Sequence, residues 1–160
     1  MPSQNDVKLS DYRALAEFRY QIRRFVRSSE EAARAAGVEP RHHQLMLAIK
    51  GKPEGDEPRI AYLAERLQIQ HHSAVELVDR LVKKGLITRS RADGDRREVH
   101  VHLTERGERI LRQLTLHTRA ELRSAAPALV ATLRKLTAST TSSSVAARRR
   151  PRTATVRRSS

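Results

Sequence analysis

HHSAVELVDRLVKKGLITRSRADGDRREVHVHLT, residues 71–104, holds two hydrophobic periods in succession. Taken at 100° per residue, residues 72–84 place Ala74, Val75, Leu77, Val78, Leu81 and Val82 on one side of a helix. His72, Ser73, Glu76, Asp79, Arg80, Lys83 and Lys84 fall on the other. One face therefore suits a core and the other is polar enough to meet a partner. Gly85 supplies a helix stop, after two lysines that suit the negative end of the helix dipole. The period then drops to two. Residues 87–91 and 98–103 read as strands, the second with Val99, Val101 and Leu103 on one face and Glu98, His100 and His102 on the other. Between them ADGDRR, residues 92–97, contains Asp-Gly, a strong hairpin signal because both residues tolerate positive φ.

Upstream, RIAYLAERLQI (59–69) sets Ile60, Leu63, Ala64 and Leu67 at i, i+3, i+4 and i+7, which predicts a short helix ending only a few residues before the next. A short helix, a tight turn, a helix with a polar outer face and a basic-tipped hairpin make a winged helix-turn-helix. A helix fits the major groove of B-form DNA, where each base pair shows its own donor and acceptor pattern. A narrow hairpin tipped with arginine can reach the adjacent minor groove, where negative potential is concentrated.

Working outward, residues 11–36 predict a long amphipathic helix with Tyr12, Leu15, Phe18, Ile22, Phe25 and Val26 in a stripe, ended by Gly37. A second helix is expected after Pro40, carrying Leu45, Met46 and Ile49, before the loop GKPEGDEP. Thr104 is the expected N-cap of a helix running to about Ala125; Pro127 predicts a break before a last short helix, 128–136. The fold class is mainly α with a small β-hairpin wing. Residues 1–10 read as an N-terminal arm and 40–104 as the DNA-binding lobe, while 11–36 and 105–136 read as dimerisation helices, because their apolar stripes exceed what one small lobe covers.

The composition agrees. The 160 residues carry 32 lysines and arginines against 18 acids, a net charge of +14, which favours a polyanionic partner. Residues 137–160 hold six of those arginines, no acid and almost nothing to bury, so they are expected to be a disordered tail. Setting its six charges aside leaves +8 on residues 1–136, so the folded part is basic in its own right. Cysteine is absent, which excludes disulfides, thiolate metal sites and a cysteine nucleophile. No apolar run reaches the length of a membrane span and the N-terminus lacks a secretory stretch, so a cytoplasmic protein without a membrane partner is expected. The motifs of catalysis and phosphate binding are lacking, and neither an enzyme nor a cofactor is expected.

LAERLQI (63–69), VDRLVKKGLITR (78–89) and the pattern D-x-R-x5-L-T at Asp95, Arg97, Leu103 and Thr104 resemble the multiple-antibiotic-resistance regulator (MarR) family of bacterial transcription factors, over residues 10–136. The resemblance implies a homodimer with interlocked terminal helices and two winged modules on a pseudo-palindromic DNA operator. It further implies a repressor, released in many members by a small aromatic or anionic ligand between the dimer helices and the DNA-binding lobe. It also implies that Asp95 braces the wing through Arg97.

The DNA-contact candidates are His71, His72, Ser73, Glu76 and Arg80 on the recognition helix, with Lys83, Lys84, Arg89 and Arg91 toward phosphates and Arg96 and Arg97 at the wing tip. A solvated helix face is the plainer reading of such residues; the hairpin and the charge balance favour contact. Glu76 repels phosphate and can accept a hydrogen bond from cytosine N4, so it bears on specificity. Seven histidines raise the question of a metal, but none forms an i, i+4 pair on one helix, and no metal site is expected. His42 or His43 with His117 is the pair the resemblance would place at a ligand cleft. Two other classes remain open: a DNA-coating architectural protein, and a ligand or metal sensor with DNA as its readout.

Overall fold

The computed structural model describes residues 7–91 and 99–146, with side chains through residue 137. In chain order it has α1 (Leu9–Ala35), α2 (Pro40–Lys50), α3 (Ile60–Leu67), α4 (His71–Lys83), β1 (Ile87–Arg91), β2 (Val99–Leu103) and α5 (Glu105–Ala146). Residues 25–123 form one compact unit; residues before 25 and after 123 form a second.

The unit 25–123 is built around one apolar core of Leu45, Met46 and Ile49 from α2, Leu63 from α3, Leu77, Val78 and Leu81 from α4, and Ile87, Val101 and Leu111 beyond them. Each such side chain contributes roughly 1.5–3 kcal/mol when fully buried. Pro40 starts α2 in its first turn, where its missing N–H removes no helical hydrogen bond. Helix α3 ends at Gln68 in the left-handed region, φ 53°, with Ile69 N–H donating to the Ala64 carbonyl at 3.0 Å and Gln68 N–H to that of Glu65 at 3.1 Å. This closed cap makes the turn to α4 tight. Gly85 ends α4 in the same way at φ 66°, with Leu86 N–H on the Leu81 carbonyl.

Strands β1 and β2 pair antiparallel, Ile87 opposite Leu103 and Arg91 opposite Val99. Arg59, the residue before α3, bridges to His100, and Val101 N–H donates to the Pro58 carbonyl at 3.2 Å, so the root of the wing is fastened to the start of α3. Thr104 caps α5 as expected, accepting from Gly107 N–H at 3.1 Å while its own hydroxyl donates to the Gly85 carbonyl at 2.8 Å.

Three expectations are corrected. The buried stripe of α4 is Ala74, Leu77, Val78 and Leu81; Val75 is half-buried and Val82 is 37 % exposed. At 100° per residue both valines lie on one flank of that stripe, beyond the reach of the core. Helix α5 passes through Pro127 without a break. An exposed proline removes one backbone bond and presses on the carbonyl four residues back, and the alanines and leucine around it keep the remaining turns helical. The helix also runs on to Ala146, into the stretch expected to be a disordered tail. There Thr137 turns its hydroxyl back to the Leu133 carbonyl at 3.0 Å, which lets a polar side chain sit on a helix. Residues 147–160 lie outside the described residues.

Candidate nucleic-acid interface

Helix α4 meets its neighbours through one face, and what it leaves outward sorts into three strips. The middle strip carries His72, Glu76 and Lys83, all exposed. His71 is exposed at the first helical position, and Ser73 is half-buried beside it. One flank turns Asp79 toward the wing, where it pairs with Arg89 of β1. The other flank carries Arg80 and Lys84 toward the beginning of α2.

This division changes the roles of individual side chains. Arg89, expected to reach a phosphate, is engaged by Asp79, a pairing that steadies the base of the wing against α4 and offsets the arginine's charge. Sequence reading missed it, although Asp79 and Arg89 straddle a predicted helix stop and strand start, the positions a turn brings together. Arg80 stands 3.7 Å from Glu76 one turn back, an exposed pair worth at most a few tenths of a kcal/mol. Glu76 and Arg80 thus present a carboxylate and a guanidinium side by side. Arg91 is exposed at the end of β1. Asp95, Arg96 and Arg97, to which the bracing and groove-insertion roles fell, lie outside the described residues.

On the other face of the wing, His102 Nε2 lies 3.0 Å from the Ser90 hydroxyl and 3.9 Å from the Glu57 carboxylate. The positive end of the lobe is bounded by α5: Arg106 donates to the Lys84 carbonyl at 3.2 Å, and Lys50 pairs with Glu108 at 2.6 Å.

Sequence reading also missed a cleft of about 690 Å³ between the end of α4 and the start of α2, lined by Pro40, Arg41, His42, Leu77, Arg80, Lys83 and Lys84 with Glu30 and Glu39. His42 is 4 % exposed and its Nδ1 has no hydrogen-bond partner. Burial holds its imidazole below the ordinary 6.5; Lys84 and Arg80 push the same way, and Glu39 opposes them. His43 is lowered by burial alone. His117, grouped with these two at the sequence level, is exposed on α5 and does not line this cleft. Among the described residues no group of three or more histidines and carboxylates is placed to hold a metal ion. Nor is any described helix long and apolar enough to cross a membrane.

A helix-turn-helix whose second helix offers a polar face, flanked by an antiparallel hairpin, defines a winged helix-turn-helix protein. Residues 36–98 match the model of the MarR family, and the chain belongs to that family through this lobe. Its fold is similar to that of AbsC, a MarR family transcriptional regulator from Streptomyces coelicolor. The TM-score is 0.66 at 19 % identity, over 91 % of this chain and 100 % of that one. A MarR family transcriptional regulator from Silicibacter pomeroyi matches with TM-score 0.58 at 19 % identity, over 84 % of this chain and 88 % of that one. CouR from Rhodococcus jostii, solved bound to p-coumaroyl-CoA, matches with TM-score 0.53 at 20 % identity, over 70 % of this chain and 82 % of that one. No curated protein sequence matches the chain.

Proposed function

We propose that the protein is a homodimeric, sequence-specific transcriptional repressor that lays α4 in the major groove of each half of a pseudo-palindromic operator and the wing in the adjacent minor groove. One observation carries this reading: α4 is anchored by Ala74, Leu77, Val78 and Leu81 and offers His71, His72, Ser73, Glu76 and Arg80 on its outward side, next to a hairpin whose root is tied to the same lobe. The net charge of +14 supports attraction to phosphate. His71, His72 and Ser73 meet base edges at the start of the helix, Glu76 selects cytosine, and Lys83, Arg91, Arg96 and Arg97 serve the backbone and the minor groove. Arg89 acts through Asp79 in holding the wing.

Dimerisation is supported by apolar side chains left open on the terminal helices: Tyr12, Leu15, Ile22 and Val26 on α1, and Leu116, Leu122, Val130 and Leu133 on α5. A monomer exposing two such stripes would be prone to aggregate. That CouR is bound to p-coumaroyl-CoA supports response to a small anionic ligand here as well.

The test compares binding of the full chain to duplexes from its own upstream region and to a scrambled duplex at about 150 mM salt. A specific regulator favours its site by roughly 10³-fold or more. Equal affinity would instead favour a coating, architectural role, for which the charge is the motive. Glu76→Gln should relax the preference at one base pair of each half-site while leaving the salt dependence unchanged.

A further inference from the structure

The cleft behind α4 has the makings of a ligand site. His42, with 4 % of its surface exposed, presents an Nδ1 that no protein group satisfies. A buried polar atom left in that state costs about 1–3 kcal/mol, a penalty that a bound partner removes. Around it stand Arg41, Arg80, Lys83 and Lys84, against the carboxylates of Glu30 and Glu39. Glu30 is already engaged by Arg34 at 3.0 Å, so the balance inside the cleft is positive. Leu77 and Pro40 give the same space an apolar wall. Its volume of about 690 Å³ lies within the range of small-molecule sites, roughly 300–1,000 Å³.

We infer that this cleft binds a small organic carboxylate, whose oxygens take Arg80, Lys84 and the Nδ1–H of a neutral His42, and whose apolar body lies on Leu77 and Pro40. A carboxylate answers all the features together: two lone-pair-bearing oxygens for the cations and the orphaned nitrogen, and a carbon skeleton for the wall. An inorganic anion would leave the apolar wall unused; a neutral amide would leave the cations unanswered. The site also has a consequence, which rests on the DNA-binding reading. Occupancy neutralises charge at the end of α4 that would otherwise face phosphate, so carboxylate and DNA oppose one another.

The first measurement uses the full chain without DNA. Benzoate is titrated while the His42 ring resonances are followed by NMR, with benzamide and inorganic phosphate as parallel probes. A saturable benzoate shift at His42, with tenfold weaker or absent response to the other two, is expected. His42→Phe keeps a ring in the space and removes Nδ1; benzoate binding, followed by calorimetry, should weaken about tenfold, the factor that one ionic hydrogen bond of ~1.4 kcal/mol represents. Arg80→Met should weaken it similarly, and serves alone if His42→Phe fails to fold. Phosphate binding as tightly as benzoate, no saturable shift, or full benzoate affinity in folded Arg80→Met would each overturn the site. The second measurement follows anisotropy of a labelled duplex: saturating benzoate should lower the affinity of the native chain at least threefold and leave His42→Phe unaffected. Benzoate binding with unchanged DNA affinity overturns the opposition between ligand and DNA. Benzoate binding by a chain that binds no duplex keeps the site and overturns the DNA-binding reading instead.

Discussion

Gly107→Ala should damage the joint between the recognition helix and α5, and the size of the damage follows from the geometry. Gly107 is buried in the first turn of α5, where a Cβ would lie 2.1 Å from the Leu86 carbonyl oxygen and 3.2 Å from its carbon. Carbon and oxygen in close contact ordinarily stay about 3.3–3.6 Å apart, so the two backbones must separate by about 1.2 Å. Three hydrogen bonds cross the same joint: Thr104 N–H to Leu86 at 3.1 Å, Thr104 hydroxyl to Gly85 at 2.8 Å, and Arg106 to Lys84 at 3.2 Å. Overpacking costs roughly 1–3 kcal/mol and the loss of one or two of these bonds about 1 kcal/mol each. Alanine's helix propensity returns about 1 kcal/mol. The net expectation is a loss of about 2–3 kcal/mol, or roughly 5–10 °C in Tm for a chain of this size. Urea unfolding followed by circular dichroism, at one fixed protein concentration, measures it. Gly51→Ala is the control, because there the nearest atom, the Leu47 carbonyl oxygen, is 3.1 Å away and a few tenths of an ångström suffice. If Gly107→Ala unfolds at or above the native midpoint, the close approach of α5 to Leu86 is not what glycine is needed for, and the reasoning fails.

Burial lowers both His42 and His43 below 6.5, so the unfolded chain binds more protons than the folded one once the pH falls below that value. Stability should therefore be level above about pH 7 and decline as pH drops through about 6 toward 5; thermal scans across that range check it, and a profile still level at about pH 5 would contradict the burial of both rings. Gln68 holds a left-handed conformation that costs a non-glycine residue about 1–2 kcal/mol, partly offset by its side-chain bond to the Glu65 carbonyl at 2.8 Å. Gln68→Gly should raise the urea midpoint by the equivalent of about 0.5–1 kcal/mol, and a lower midpoint would show that the side-chain bond outweighs the strain. Pro127→Ala restores a backbone donor within α5 and should stabilise the chain by as much as about 3 kcal/mol, read as a rise in Tm; a fall would mean the proline is needed where it stands.

The amino-acid sequence by itself determined the elements whose signal is local. The period of α4, the left-handed cap at Gly85, the alternation of Val99, Val101 and Leu103, and the Thr104 cap each depend on residues a few positions apart, and backbone sterics resolve them before any tertiary contact forms. Position on a helix also separated His72, Glu76 and Lys83 from the core. What only the tertiary structure decided concerns residues distant along the chain. Whether Val82 is covered depends on how far neighbouring elements reach around α4. Asp79 takes Arg89 only because the chain reverses after Gly85. Pro127 is carried within α5 because the cost of one lost backbone bond is set against a whole long helix, a balance no short window contains. His42 acquires its cationic surroundings from α4, some forty positions onward, because folding the core brings the start of α2 beside the end of that helix. Periodicity says which side of an element is apolar; only packing says what lies opposite.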